Sequence, residues 1–84
     1  MTPANNSIRI GVECRFAVDG TIDVRRVYID KRWKTVSQGR QWIDQLGRHV
    51  LIMMPEQVVK EIRLRPDTLT WELLDSGSRG IRAV

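Results

Sequence analysis

The chain has 84 residues, enough for one small domain, and its 42% hydrophobic and 29% charged residues suit an ordinary globular class rather than a disordered one. Fourteen Lys and Arg against ten Asp and Glu give a net charge of +4, with a single Cys and a single His, so an internal disulfide and any multi-cysteine metal site are excluded. The longest apolar run, VLIMM at residues 50–54, is far short of the ~20 residues of a membrane helix.

MTPANNS at the start is polar, with neither a basic nor an apolar segment of the kind a secretory signal carries, so a cytoplasmic location is expected and residues 1–6 are read as disordered. A single β domain is placed over residues 7–74 and a flexible Gly- and Ser-rich tail over 75–84. The apolar terminus IRAV is a conceivable contact for a partner.

SIRIGVECRFAV alternates strictly, with Ile8, Ile10, Val12, Cys14, Phe16 and Val18 on one side and Arg9, Gly11, Glu13 and Arg15 on the other. Period two predicts a half-buried strand. Cys14, on its inward side, is expected to act as a small buried hydrophobe. Asp19-Gly20 then predicts a two-residue hairpin turn.

The following strand slips phase: Ile22 and Val24 are even, Val27 and Ile29 odd. An extra residue at Arg25-Arg26, a β-bulge, would keep both apolar pairs on the core side. A three-residue connection Asp30-Lys31-Arg32 would set Ile29 opposite Trp33 inside and Tyr28 opposite Lys34 outside. That register makes Trp33 a core residue and Tyr28 the exposed aromatic.

Residues 37–47 read as a short helical turn near 38–46 or an irregular loop, from the spacing of Trp42, Ile43 and Leu46, with Ser37 and Gly47 suited to the ends. HVLIMM predicts a strand buried on both sides. VVKEIRL reads as a hairpin strand on its β-branched content, although a helix is compatible with Val58, Val59 and Ile62. RPDT is a turn, and LTWELL restores alternation with Leu69, Trp71 and Leu73 inward.

The expected fold class is therefore all-β, a small antiparallel barrel or rolled sheet of five or six strands. The pattern carried by Val27, Ile29, Arg32, Trp33, Val36, Trp42 and Trp71 resembles the small SH3-like barrels and, more loosely, short uncharacterised bacterial β domains. The resemblance implies a barrel fold. Lys31 stands where those domains usually carry Gly in the basic turn, and no function is transferred.

Seven cations and two carboxylates lie between Arg25 and Arg48, whereas the remainder of the chain nearly balances. Cations release counterions from phosphates and exposed aromatics stack on bases, so Arg25, Arg26, Tyr28, Lys31, Arg32, Lys34, Arg40, Trp42 and Arg48 form the candidate binding set. Eleven arginines to three lysines favour planar phosphate or carboxylate recognition. The competing reading is that these arginines are merely solvated and the tryptophans fill a core.

His49 has only Asp44 near it in sequence, and the carboxylates are scattered. GxGxxG, P-loop and CxxC patterns are missing. The expectation is a non-catalytic interaction module with no cofactor, no metal and no small-molecule substrate. Its partner would be nucleic acid or an acidic protein surface. The alternative is a protein-binding or homodimerising β domain, either through an aromatic groove of Trp42, Tyr28 and Met53 or Met54, or through HVLIMM pairing across two copies.

Overall fold

The computed structural model describes residues 7–74, so the expectations for residues 1–6 and 75–84, including the IRAV terminus, lie outside the described residues. Seven strands occur in chain order: β1 (Ile8–Phe16), β2 (Ile22–Ile29), β3 (Arg32–Thr35), β4 (Ser37–Asp44), β5 (Gly47–Met53), β6 (Val59–Leu64) and β7 (Trp71–Leu74). They form one curled antiparallel sheet in the order β3-β2-β1-β7-β6-β5-β4. The all-β reading holds. The expected five or six strands become seven because the stretch read as a helical turn is a strand.

The alternation of β1 and β2 places the central apolar residues on the core side, whereas Ile8 and Phe16 at the two ends of β1, expected inward, are more than half exposed. Ile10, Val12 and Cys14 of β1 pack against the buried Ile22, Val24 and Val27 of β2. The phase slip in β2 is the expected bulge: Glu13 faces Arg26 and Cys14 faces Val24, so Arg25 is the additional residue. Arg25 and Arg26 therefore both project outward, which adjacent residues of a regular strand never do. The turn before β2 is one residue earlier than expected. Gly20 donates to the Ala17 carbonyl at 2.9 Å, which puts Val18 and Asp19 at the turn centre and Gly20 in the positive-φ position after it.

The β2–β3 connection departs from expectation by one residue. Tyr28 faces Trp33 and Ile29 faces Arg32, leaving a two-residue turn of Asp30 and Lys31, with φ of 56° and 65°. Two consecutive positive φ values define the primed hairpin turn, which normally announces itself by Asn-Gly or Asp-Gly. A one-residue change in register turns every side chain of a strand to the other face. Trp33 is accordingly outside beside Tyr28, while Lys34 lies on the inner side opposite Val27.

β4 contains a second bulge. Gln38 faces Ile52 and Gln41 faces Val50, so Gly39 and Arg40 together oppose Leu51. Gln38 and Gln41, of opposite parity in sequence, thereby both turn inward. Their carboxamides reach the free backbone edge of β2: Gln38 Oε1 accepts from the Val24 amide at 2.6 Å, Gln41 Oε1 accepts from the Ile22 amide at 3.1 Å, and both Nε2 groups donate to the Ile22 carbonyl at 2.8 Å. Side chains thus close the seam that backbone pairing leaves open between β2 and β4. Val36, between β3 and β4, adds one backbone bond to the Arg25 carbonyl at 3.1 Å.

β5 carries the centre of the core, with Val50 and Ile52 buried against Ile62, Val36 and Met54. It pairs with β4 on one side and β6 on the other, so HVLIMM has no free backbone edge for the strand pairing across two copies considered from sequence. Residues 59–64 are a strand, as their β-branched content implied. Trp71 and Leu73 of β7 pack on the core, but Leu69 does not: it occupies the preceding turn at φ 58° and is 72% exposed.

Candidate functional site

The outer face of β1, β2 and β3 is the most distinctive surface of the described residues. Gly11, Tyr28 and Trp33 form one row across the three strands. Tyr28 and Trp33 are 42% and 45% exposed, with ring centroids 5.3 Å apart and planes tilted by 58°. Gly11 is what lets the indole extend along the sheet. A Cβ there would stand 3.1 Å from the Tyr28 Cβ and 3.5 Å from the Trp33 Cη2. With no side chain at Gly11 in the way, the indole edge settles over the glycine, and the tilted pair keeps aromatic surface in contact with water.

The adjoining row holds Glu13, Arg26 and Thr35. The Arg26 guanidinium lies 5.2 Å from the Trp33 ring centroid, within cation–π range, and its Nε donates to Glu13. Arg25 is tethered likewise, with its Nε 3.2 Å from Asp23 Oδ2. A groove of about 460 Å³ opens at this point, lined by Glu13, Asp23, Arg25, Arg26, Thr35 and Gln38 among others. It follows from the bulge, where β2 parts from β3 and the glutamine seam begins.

The nine residues singled out from sequence do not share one face. Arg25, Arg26 and Tyr28 do come together, joined by Trp33, which sequence reasoning had assigned to the core. Lys31 sits in the adjacent turn. Arg32 and Lys34 occupy the other side of β3, and Lys34 Nζ lies 3.9 Å from Asp30. Arg48 belongs to the seam: its Nη1 donates to Gln41 Oε1 at 2.7 Å and its Nη2 to the Gly20 carbonyl at 2.8 Å.

Arg40 and Trp42 make a separate cluster on the outer face of β4. The Arg40 guanidinium is 5.7 Å from the Trp42 ring, which in turn stacks on His49 at 5.1 Å with an interplanar angle of 1°. His49 is only 5% exposed; its Nε2 lies 2.8 Å from Asp44 Oδ1, as their proximity in sequence suggested, and its Nδ1 lies 2.7 Å from Glu61 Oε2. The hydrogen bond from His49, followed by that from the Leu46 amide, holds the Asp44 carboxyl below the usual carboxylate range. Both ring nitrogens are engaged. Glu61 was invisible beforehand because only the β5–β6 register, with Leu51 facing Glu61 and His49 facing Arg63, brings it alongside.

Next on this face, Arg63 donates to Glu72 Oε1 at 2.7 Å and Arg65 lies 3.5 Å from its Oε2. These pairs neutralise one another and hold the β6–β7 side of the sheet. Cys14 faces the core, and burial, followed by the charge of Asp23, pushes its thiol pKa up, which disfavours the reactive thiolate. Among the described residues no group of three or more His, Cys, Asp or Glu is placed to hold a metal ion, and no helix is long and apolar enough to cross a membrane. The chain matches no protein-family model, no curated protein and no solved structure.

Proposed function

We propose that the protein is a non-catalytic cytoplasmic module that binds nucleic acid, single-stranded by preference, on the outer face of β1, β2 and β3. The observation that carries this reading is the exposed Tyr28 and Trp33 pair with Arg26 at 5.2 Å from the indole. Every base has a π face, so an aromatic surface accepts unpaired bases without sequence selection, whereas a duplex keeps its bases stacked inside. The net charge of +4 supplies long-range attraction. Arg9 and Arg15 on β1 and Lys31 in the adjoining turn form no ion pair among the described residues, so they remain available for phosphates.

Fluorescence anisotropy with labelled single-stranded and duplex oligonucleotides, at low and moderate salt, tests the reading. Tighter binding of the single strand, weakening as salt rises and accompanied by tryptophan quenching, is expected. Stacking contributes ~1–3 kcal/mol per base, so Trp33→Ala should weaken binding at least several-fold. Absence of salt-sensitive binding to either oligonucleotide overturns it.

A second reading, a protein-binding or self-associating domain, is favoured by the position of β3 at the end of the strand order with pairing on one side only. An extended acidic peptide would suit an edge bearing Arg32 and Lys34 better than a second copy of the same edge, where like charges would meet. A concentration-dependent mass in light scattering would support self-association, and a strict monomer would retire it.

A further inference from the structure

We propose that the β2 bulge is a phosphodiester clamp, formed by Arg25 and Arg26, that fixes the backbone of the strand whose base stacks on Trp33. This rests on the nucleic-acid reading above and names the phosphate site within it. The bulge sets two consecutive guanidinium groups on the same side of the sheet. Each is held through its Nε, Arg25 by Asp23 and Arg26 by Glu13, while the Nη groups of both have no hydrogen-bond partner among the described residues. The two arginines and the Thr35 hydroxyl border the same groove of about 460 Å³. Arg26 also lies against Trp33, so one side chain joins the groove to the aromatic row.

Asp23 and Glu13 line the groove as well, and their charges oppose an approaching anion. Each pair is formally neutral and all four side chains are about half exposed, so an anion is held here by directed Nη hydrogen bonds rather than by a local excess of charge. What the carboxylates provide is orientation. A guanidinium fixed through Nε still presents its Nη fork, and two such forks side by side match the non-bridging oxygens of a phosphodiester. A phosphate at the groove and a base on the indole together require a chain free to turn between them, which a single strand is and a duplex is not.

The test compares wild type with Arg25→Lys, Arg25→Gln and Trp33→Ala, using an oligothymidylate in anisotropy titrations across a salt series, with thermal melting to confirm that each variant is folded. Lysine keeps the charge and loses the fork. Arg25→Lys is expected to weaken binding about tenfold with the salt slope unchanged, and Arg25→Gln to weaken it further and reduce the slope by about one. Arginine side-chain NMR signals of Arg25 and Arg26 should shift on titration with the oligonucleotide. If the oligonucleotide binds and Trp33→Ala weakens it, yet Arg25→Lys binds within twofold of wild type, the clamp is wrong and the nucleic-acid reading stands. If wild type binds no oligonucleotide at any salt, both fall.

Discussion

The side-chain amide of Gln38 does for Val24 what a neighbouring strand would do, accepting its backbone N–H at 2.6 Å while donating to the carbonyl of Ile22 at 2.8 Å. A buried strand edge without partners costs about 1–3 kcal/mol for each unsatisfied group. Gln38→Ala should therefore destabilise the protein by about 1–2 kcal/mol in urea unfolding, because the Val24 amide loses its acceptor, whereas the Ile22 carbonyl keeps the bond from Gln41 Nε2. Gln38→Glu keeps the acceptor and loses the donor, and should fall between the two. Equal stability of wild type and alanine variant would mean that the seam contributes nothing.

Gly47 is the position least open to substitution. Its φ is 131°, outside the range that L side chains adopt, and a Cβ would overlap the Leu64 carbonyl oxygen and approach Pro66 Cδ at 3.1 Å. Backbone must move to admit a single methyl group, where β5 and β6 are paired through Arg48 and Leu64. Gly47→Ala is expected to cost several kcal/mol, on the order of 3 or more, seen as a large fall in melting temperature or failure to fold. A melting temperature within a few degrees of wild type would contradict the close packing at this turn.

Three turns among the described residues carry non-glycine residues where glycine would be at ease, at Asp30-Lys31, Gln57 and Leu69. Lys31 has φ 65° in the primed turn and Leu69 has φ 58°. The left-handed conformation costs an L residue roughly 1 kcal/mol, partly offset by the greater freedom glycine has when unfolded. Lys31→Gly and Leu69→Gly should each stabilise the fold by about 0.5 kcal/mol, measured by chemical denaturation. Loss of stability at position 31 would argue for the three-residue connection expected from sequence.

These same turns explain which parts of the fold were readable. Alternation in β1 and the phase slip at Arg25 are direct records of burial, since only the bulge reconciles Val24 and Val27 with one core. The β2–β3 register was not readable, because Asp30-Lys31 lacks the glycine that marks a primed turn and the choice between two and three loop residues decided where Trp33 points. In β4 the bulge at Gly39 and Arg40 scrambles period two, and Trp42, Ile43 and Leu46 then imitate a helical spacing. For the candidate face, Arg25, Arg26 and Tyr28 were recoverable from sequence; Trp33 and the supporting role of Gly11 depended on the register.

Acid sensitivity should centre partly on Asp67. Arg65 grips it with Nε to Oδ1 at 3.1 Å and Nη2 to Oδ2 at 2.9 Å, and this hydrogen bonding lowers its pKa to about 2. The folded value lies below the unfolded one of about 3.9, so the pair's contribution is complete above that pH. It is lost as pH falls through about 2. Asp67→Asn should be slightly less stable than wild type at pH 7, with the difference vanishing between about pH 4 and pH 2 in acid-dependent thermal melts. A constant difference over that interval would show that the ion pair is not its source.

Trp33 and Trp71 offer the sharpest comparison, since both were expected in the core and the sheet separates them. Trp71 faces inward on the hydrophobic cluster. Trp33 covers Gly11 from outside and remains 45% exposed. Trp71→Ala removes a partly buried ring that packs on the core, an expected loss of about 2–3 kcal/mol. Trp33→Ala removes only partial burial and the contacts with Tyr28 and Arg26, an expected loss of about 1 kcal/mol. Binding should follow the opposite order: the Trp33 variant stays folded and loses affinity, whereas Trp71→Phe, which keeps the core filled, binds as wild type. Urea unfolding and anisotropy on the same preparations check both orders at once. A Trp33 variant as unstable as the Trp71 variant would return the indole to the core and remove the aromatic face on which the binding site depends.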